Sequence, residues 1–250
     1  MRGHAVLGLA VGVVALSCTS FGSELGPEDA GTDTGIDAVA PVKGACASPA
    51  ADTRLCFDFE SGAQSPPFGF DVLDNPGRGE ATLVTAEGRP GRAVRFRLPR
   101  GTGSRTIYLV KDVGVLSTAA TTYVLEFDMS LVDMTLDYAV IATLAATDAA
   151  SAKSYGVASH NGGLFSLTTP PVRPVSLSTR QWHKVRVVVA FSPPDSVTTS
   201  AFLDGNPAGE RKELLGSGKK LDLRMGIYFT AANEGSAEVL LDDIVLRGPK

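Results

Sequence analysis

The stretch from Gln181 to Gly205 constrains this chain more than any other. It reads Gln-Trp-His-Lys-Val-Arg-Val-Val-Val-Ala-Phe, then Ser192-Pro-Pro-Asp195, then a second β-rich run ending Phe202-Leu-Asp-Gly205. Successive side chains of an extended strand point to opposite faces. Val185, Val187, Val189 and Phe191 therefore share one side, against Trp182, Lys184 and Arg186. Two prolines and an aspartate force a loop, and Asp-Gly is a strong turn signal. A long strand, a loop and a returning strand follow, with one side aimed at a core.

The same period recurs along the chain. Thr122 to Val132 alternates most cleanly, with Tyr123, Leu125, Phe127, Met129 and Leu131 on one face and Val124, Glu126, Asp128 and Ser130 on the other. Leu55 to Glu60 puts Phe57 and Phe59 inward. Further strands are expected at 81–86, 93–98, 106–110, 154–160, 164–168, 223–230 and 238–247, with Asn161-Gly162-Gly163 as a hairpin turn. Ala139 to Ala146 fits a buried strand or a short helix. The 27 glycines and 15 prolines suit many short strands joined by turns. A sandwich or barrel follows.

Charge is distributed unevenly. The chain carries −4 overall, +1 in its first eighteen residues and −4 in the next twenty-seven, which leaves −1 for residues 46–250. A nucleic-acid binder needs a basic surplus or stripe, and none is visible, so no nucleic-acid partner is expected. Residues 19–45 hold Glu24, Glu28, Asp29, Asp33 and Asp37 among Gly, Thr and Ala, without apolar periodicity. They read as an acidic flexible tether over 18–45, with a mean reach of about 30 Å.

Arg2 and His4 precede an apolar run from Ala5 to Leu16, too short to span a bilayer comfortably. It ends Ala15-Leu16-Ser17-Cys18 and resembles the bacterial lipoprotein signal, cleaved just before a cysteine that is then lipidated. The competing reading is ordinary secretion with an incidental cysteine. The resemblance implies a signal peptide over 1–17 and lipid at Cys18. Thr19, where an aspartate would favour inner-membrane retention, points to an exported outer-membrane lipoprotein. Two cysteines remain in an oxidising compartment. A Cys46–Cys56 disulfide would pin the tether's exit to the first strand. A zinc cage is the rival, and the mature chain offers only His160 and His183 beyond these thiols.

Several short motifs carry a wider resemblance: Leu55-Cys-Phe-Asp-Phe-Glu-Ser-Gly, Gly88-Arg-Pro-Gly91-Arg-Ala-Val-Arg-Phe, Trp182-His-Lys-Val-Arg-Val-Val-Val, Phe202-Leu-Asp-Gly205 and Leu241-Asp-Asp-Ile-Val-Leu. They resemble the concanavalin A-like, laminin-G-type jelly roll, over roughly residues 50–248. The implied fold is an all-β antiparallel sandwich occupying 46–250 as one domain. In many jelly rolls of this kind the first and last strands lie together and their oxygens hold calcium. Glu60 and Asp243, or their neighbours Asp58 and Asp242, would supply such ligands. No other cofactor is expected.

Glycosidases of this fold carry Glu-x-Asp-x-Glu on one strand, and Glu126-Phe-Asp128-Met-Ser130 matches its first two positions. Ser130 stands where the acid/base glutamate is needed, and a serine cannot protonate a leaving sugar oxygen. Gly216-Ser-Gly-Lys-Lys220 fails as a phosphate loop, since Glu213 replaces its first glycine. No Gly-x-Ser-x-Gly motif is present, and His183 reads as structural.

The expectation is therefore a surface-tethered, lectin-like module without enzymatic activity, binding a glycan or another surface polymer. A structural lipoprotein making protein contacts stands second, and a diverged polysaccharide-cleaving enzyme third. The expected binding face joins Glu126 and Asp128 to Tyr228. Gly226 leaves room beside Tyr228, whose ring can stack on a sugar.

Overall fold

A computed structural model describes residues 44–249, apart from 61, 149–151, 161–163, 168–174, 193, 195 and 231–233. The expected leader, Cys18, most of the expected tether and the expected Asn161–Gly163 turn lie outside the described residues. Fifteen strands run in order: β1 (Thr53–Phe57), β2 (Val72–Asp74), β3 (Glu80–Thr85), β4 (Arg92–Gly101), β5 (Ile107–Val115), β6 (Thr121–Met134), β7 (Tyr138–Thr147), β8 (Ala152–His160), β9 (Leu164–Leu167), β10 (Val175–Ser176), β11 (Trp182–Ser192), β12 (Ser196–Leu203), β13 (Asn206–Leu214), β14 (Lys220–Thr230) and β15 (Gly235–Arg247).

They form two antiparallel sheets. One has eight strands in the order β13-β12-β11-β6-β15-β4-β3, with β1 also pairing β15. The other has seven, β10-β9-β8-β7-β14-β5-β2. The expected all-β sandwich is what the chain adopts. First and last strands pair, with Cys56 opposite Val245, and the Cys46–Cys56 disulfide closes just ahead of them.

The core fills the space between the sheets. Val185, Val187, Val189 and Phe191 of β11 are buried there, as are Leu125, Phe127, Met129 and Leu131 of β6. At roughly 1.5–3 kcal/mol for each large apolar side chain removed from water, this interleaving is the main force holding the layers together. Phe57 is half-buried, and Phe59 is buried just past the end of β1, where the backbone turns to positive φ. Asp204 and Gly205 both adopt positive φ between β12 and β13, the two-residue turn that Asp-Gly favours.

Two ambiguities resolve. Ala139–Ala146 is strand, almost wholly buried. β13 has no counterpart among the expected strands, because Glu210-Arg-Lys-Glu213 offers no apolar alternation. It is an edge strand, where charge discourages further pairing.

Candidate active site

The expected binding face does not assemble. Glu126 and Asp128 face outward from β6, as alternation requires, but β6 belongs to the eight-stranded sheet and Tyr228 to the seven-stranded one. They lie on opposite outer surfaces of the sandwich. Alternation fixes which face of its own sheet a residue takes, and says nothing about which sheet its strand joins.

On the eight-stranded sheet the acids are already committed. Glu126 pairs with Arg247 at 2.7 Å and stands 3.8 Å from Arg186. Asp128 meets Arg89 at 2.5 Å and lies 3.7 Å from Lys184. Ser130 is buried, opposite Trp182 on one side and Leu240 on the other. The Glu87–Gly91 turn lies over this region. Trp182 donates its indole N–H to the Glu87 carbonyl at 2.7 Å, and Arg89 stacks 4.9 Å from the Trp182 ring. The turn covers the surface around Asp128 and Ser130, and the carboxylates of Glu126 and Asp128 are paired with cations.

Tyr228 stands in different company. Leu223, Met225 and Ile227 of β14 enter the core, so Asp222, Arg224 and Tyr228 face out. An Arg224 Nη1–H donates to the Tyr228 hydroxyl, and the guanidinium carbon lies 4.8 Å from the Tyr228 ring. Arg224 Nη2 is 3.6 Å from Asp222, with both side chains largely buried. The ring of Tyr108 from β5 meets that of Tyr228 edge to face at 4.8 Å. Its hydroxyl donates to Asp74 of β2. Burial, then that bond, holds the Tyr108 phenol well above its ordinary value.

Gly226 is the reason Arg224 and Tyr228 meet. Four positions apart on a regular strand they would be about 13 Å apart at Cα. Between Met225 and Phe229 the register against β7 shifts, and Gly226 takes a φ of +129°. Such a bulge bends the strand and re-aims its neighbours. The expectation that Gly226 clears room for a sugar is corrected. A Cβ there would sit 2.9 Å from the core ring of Phe96 and 2.7 Å from the Ile107 carbonyl oxygen.

On the neighbouring strand, Tyr138 of β7 lies opposite His160 of β8, their rings 4.7 Å apart. Burial pushes the Tyr138 phenol up to about 12 and draws the His160 imidazole below its ordinary value. At neutral pH this sheet face thus presents a neutral His160 imidazole and protonated Tyr108 and Tyr138 phenols, on the same sheet as the Arg224 guanidinium. Arg224 pairs Thr143 and Thr230 pairs Ala139, so Tyr138 lies on the strand next to β14 but about five residues along it from Arg224, and His160 lies one strand beyond. Of these residues only Tyr228 was singled out from sequence. The rest needed the cross-strand register, although Arg224 shares Tyr228's parity on β14 and could have been found there.

The expected calcium ligands do come together, but in a form that does not fit the ion. Asp243 accepts the Ala45 N–H at 3.0 Å and Arg89 at 2.7 Å. Asp242 accepts the Asp243 N–H at 2.7 Å. Glu60 accepts the Arg92 N–H at 2.8 Å, and Asp58 lies 3.4 Å from the Glu60 N–H. Among the described residues no three His, Cys, Asp or Glu side chains stand as a metal-binding group.

No protein-family model matches the chain, and no curated protein does. Solved structures do. The endo-β-1,4-glucuronan lyase of the fungus Trichoderma reesei superimposes with a TM-score of 0.59 at 14% identity, over 78% of this chain and 95% of that one. The alginate lyase Aly36B gives 0.57 at 10% identity, over 78% and 96%. The marine PL-14 alginate lyase of Aplysia kurodai gives 0.51 at 11%, over 80% and 100%. At such identities the likeness is one of fold, and it defines the class as a jelly-roll β-sandwich.

The finding overturns the expectation of a lectin-like module without activity, in which the glycan rested on fold analogy and the lack of activity on Ser130. These three sandwiches, each matched over nearly its full length, are polysaccharide lyases. The missing acid at Ser130 excludes one chemistry on one sheet. It has no bearing on chemistry that needs no carboxylate pair.

Proposed function

We propose that this domain cleaves a uronate-containing polysaccharide by β-elimination on the outer face of its seven-stranded sheet. The observation that carries the proposal is the constellation of His160, Tyr138, Arg224, Tyr228 and Tyr108 on that face. The lyase neighbours lend it support at the level of fold. Elimination removes the proton at C5, beside the uronate carboxylate. The electron pair left behind forms the C4–C5 double bond, the C4–O bond breaks, and the departing oxygen takes a proton.

Stabilising the charge and protonating the leaving oxygen ask for groups present here. Arg224, largely buried and able to offer a fork of N–H donors, pairs with the carboxylate and stabilises charge that builds there as C5 loses its proton. His160 lies two strands from β14 and further along the sheet, so a base from solvent takes that proton on this outer face, and the His160–Tyr138 pair is placed to bind an adjoining sugar. Tyr228 accepts its bond from Arg224, so its own phenolic proton is left for the leaving oxygen. Tyr108, whose proton is committed to Asp74, orients the Tyr228 ring.

The test is incubation of residues 46–250 with alginate and with polyglucuronate, following the ultraviolet absorbance of the conjugated unsaturated product. Turnover is expected on at least one polymer. Tyr228→Phe and Arg224→Ala should each lower kcat by about 100-fold or more, the usual scale for a positioned acid or charge, while His160→Gln should act mainly on KM. Absence of product from both polymers, or full activity in all three variants, would sink the proposal.

We also propose that the chain is exported and lipidated at Cys18, placing the domain on a tether at the outer membrane. The support is the apolar run ending at Cys18 and the acidic segment after it. Expressed in a bacterial host, Cys18→Ser should lose the mass of the lipid and the release of residues 1–17. A mature protein whose Cys18 is an unmodified thiol would contradict this.

A further inference from the structure

Arg89 stands at the centre of the acidic cluster where the jelly-roll resemblance places calcium. It reaches this position from the turn between β3 and β4. Its Nη1 meets Asp128 of β6 at 2.5 Å. Its Nη2 meets Asp243 of β15 at 2.7 Å and lies 3.4 Å from Asp242. Asp242 is only 1% exposed. β15 itself is bent to make this possible. Asp243 takes a φ of +47°, and the register against β6 shifts between Asp242 and Val245. The bulge turns two successive carboxylates toward one guanidinium.

The rest of the turn is anchored around this contact. Trp182 of β11 holds the Glu87 carbonyl and lies under the guanidinium. Glu60, just past β1, accepts the Arg92 N–H. One side chain therefore ties the β3–β4 turn to β6 and β15, while its flanks reach β11 and the end of β1. Three carboxylates this close repel one another unless a cation lies among them. Calcium would require several of these oxygens free of other partners. Here both oxygens of Asp243 and one each of Asp242 and Glu60 are taken by N–H donors, and the second Asp242 oxygen lies 3.4 Å from Arg89.

We infer that Arg89 is a built-in cation, doing for this domain what a divalent ion would do in a calcium-binding jelly roll. The folded domain therefore requires no calcium. The guanidinium supplies one fixed charge and two directed N–H groups. It arrives with the chain, so its effective concentration does not depend on the medium. The calcium-binding function of the site is replaced, and its acidic shell is retained.

The experiment is thermal unfolding of residues 41–250, which retain the Ala45 N–H bonded to Asp243, in chelator and in millimolar calcium. The chain's single tryptophan, Trp182, reports on the turn by fluorescence. For the natural sequence the two midpoints should coincide. Arg89→Gln leaves the acids without their cation, and its midpoint in chelator should fall by about 5–10 °C. Calcium should then restore much of that loss and return the Trp182 emission toward its original position. A natural protein that calcium stabilises overturns the inference. So does an Arg89→Gln variant whose midpoint is unchanged, or one destabilised yet indifferent to calcium. Should Arg89→Gln not fold, Arg89→Lys keeps the charge and is expected to fold and ignore calcium. A calcium response in Arg89→Lys would overturn the inference equally.

Discussion

At the residue scale, Asp242 is the most displaced carboxyl on the eight-stranded sheet. Burial, then the neighbouring Asp243 charge, pushes it up to about 7 despite its backbone bond and Arg89. Unfolded, it titrates near 3.8. The folded state thus holds this proton more tightly than the unfolded chain does, and stability falls as pH rises from about 4 to about 7. Asp71 and Asp204 act in the opposite sense. The Lys111 bond lowers the first; at the second, burial opposes but the His183 and Lys184 bonds prevail. Their contributions are lost as pH falls below about 4. The melting midpoint should therefore decline from about pH 5 toward 7, less steeply than Asp242 alone would give, because His160, held below its ordinary value by burial, adds stability as pH rises toward 6.5. Asp242→Asn should flatten the neutral limb and leave the acid limb in place. An Asp242→Asn variant whose midpoint follows that of the natural protein from about pH 5 to 7 would show that Asp242 ionises at no cost.

At the element scale, β14 shows how one strand can serve core and surface together. Leu221, Leu223, Met225 and Ile227 enter the sandwich, while Asp222, Arg224 and Tyr228 line the outer face. A regular strand would hold Arg224 and Tyr228 apart, and the bulge at Gly226 removes that separation. Alanine is excluded there twice over, by a φ of +129° and by the Ile107 carbonyl 2.7 Å from the added Cβ. Gly226→Ala should cost about 2–3 kcal/mol of stability in urea unfolding. It should also lower activity by disturbing the Arg224–Tyr228 contact. Gly88 is a suitable control, since its φ is also positive but a Cβ would meet open space. Gly88→Ala should cost only about 1 kcal/mol. Equal losses at both positions would mean that the close approach to Ile107 and Phe96 is readily relieved.

At the scale of the whole molecule, the sequence determined what depends on neighbours along the chain. Period-two alternation of Val185, Val187 and Val189, and of Leu125, Phe127 and Met129, fixed which side of each strand is buried, because a one-residue slip would expose the whole set. Asp204-Gly205 fixed a turn, since few residue pairs accept two successive positive φ values. Two spare cysteines near the first strand were enough to anticipate the Cys46–Cys56 bridge. Short segments with less pattern escaped, among them β2, β10 and the charged edge β13. The assignment of strands to sheets escaped altogether. β6 and β14 have equally clean amphipathic patterns, yet they occupy different layers. Glu126 and Asp128 are consequently parted from Tyr228 by the thickness of the core, and Tyr228 instead gains Arg224, Tyr108 and the nearby His160–Tyr138 pair. Only tertiary structure decides this, because a strand's alternation records that one face is buried and leaves open which sheet buries it.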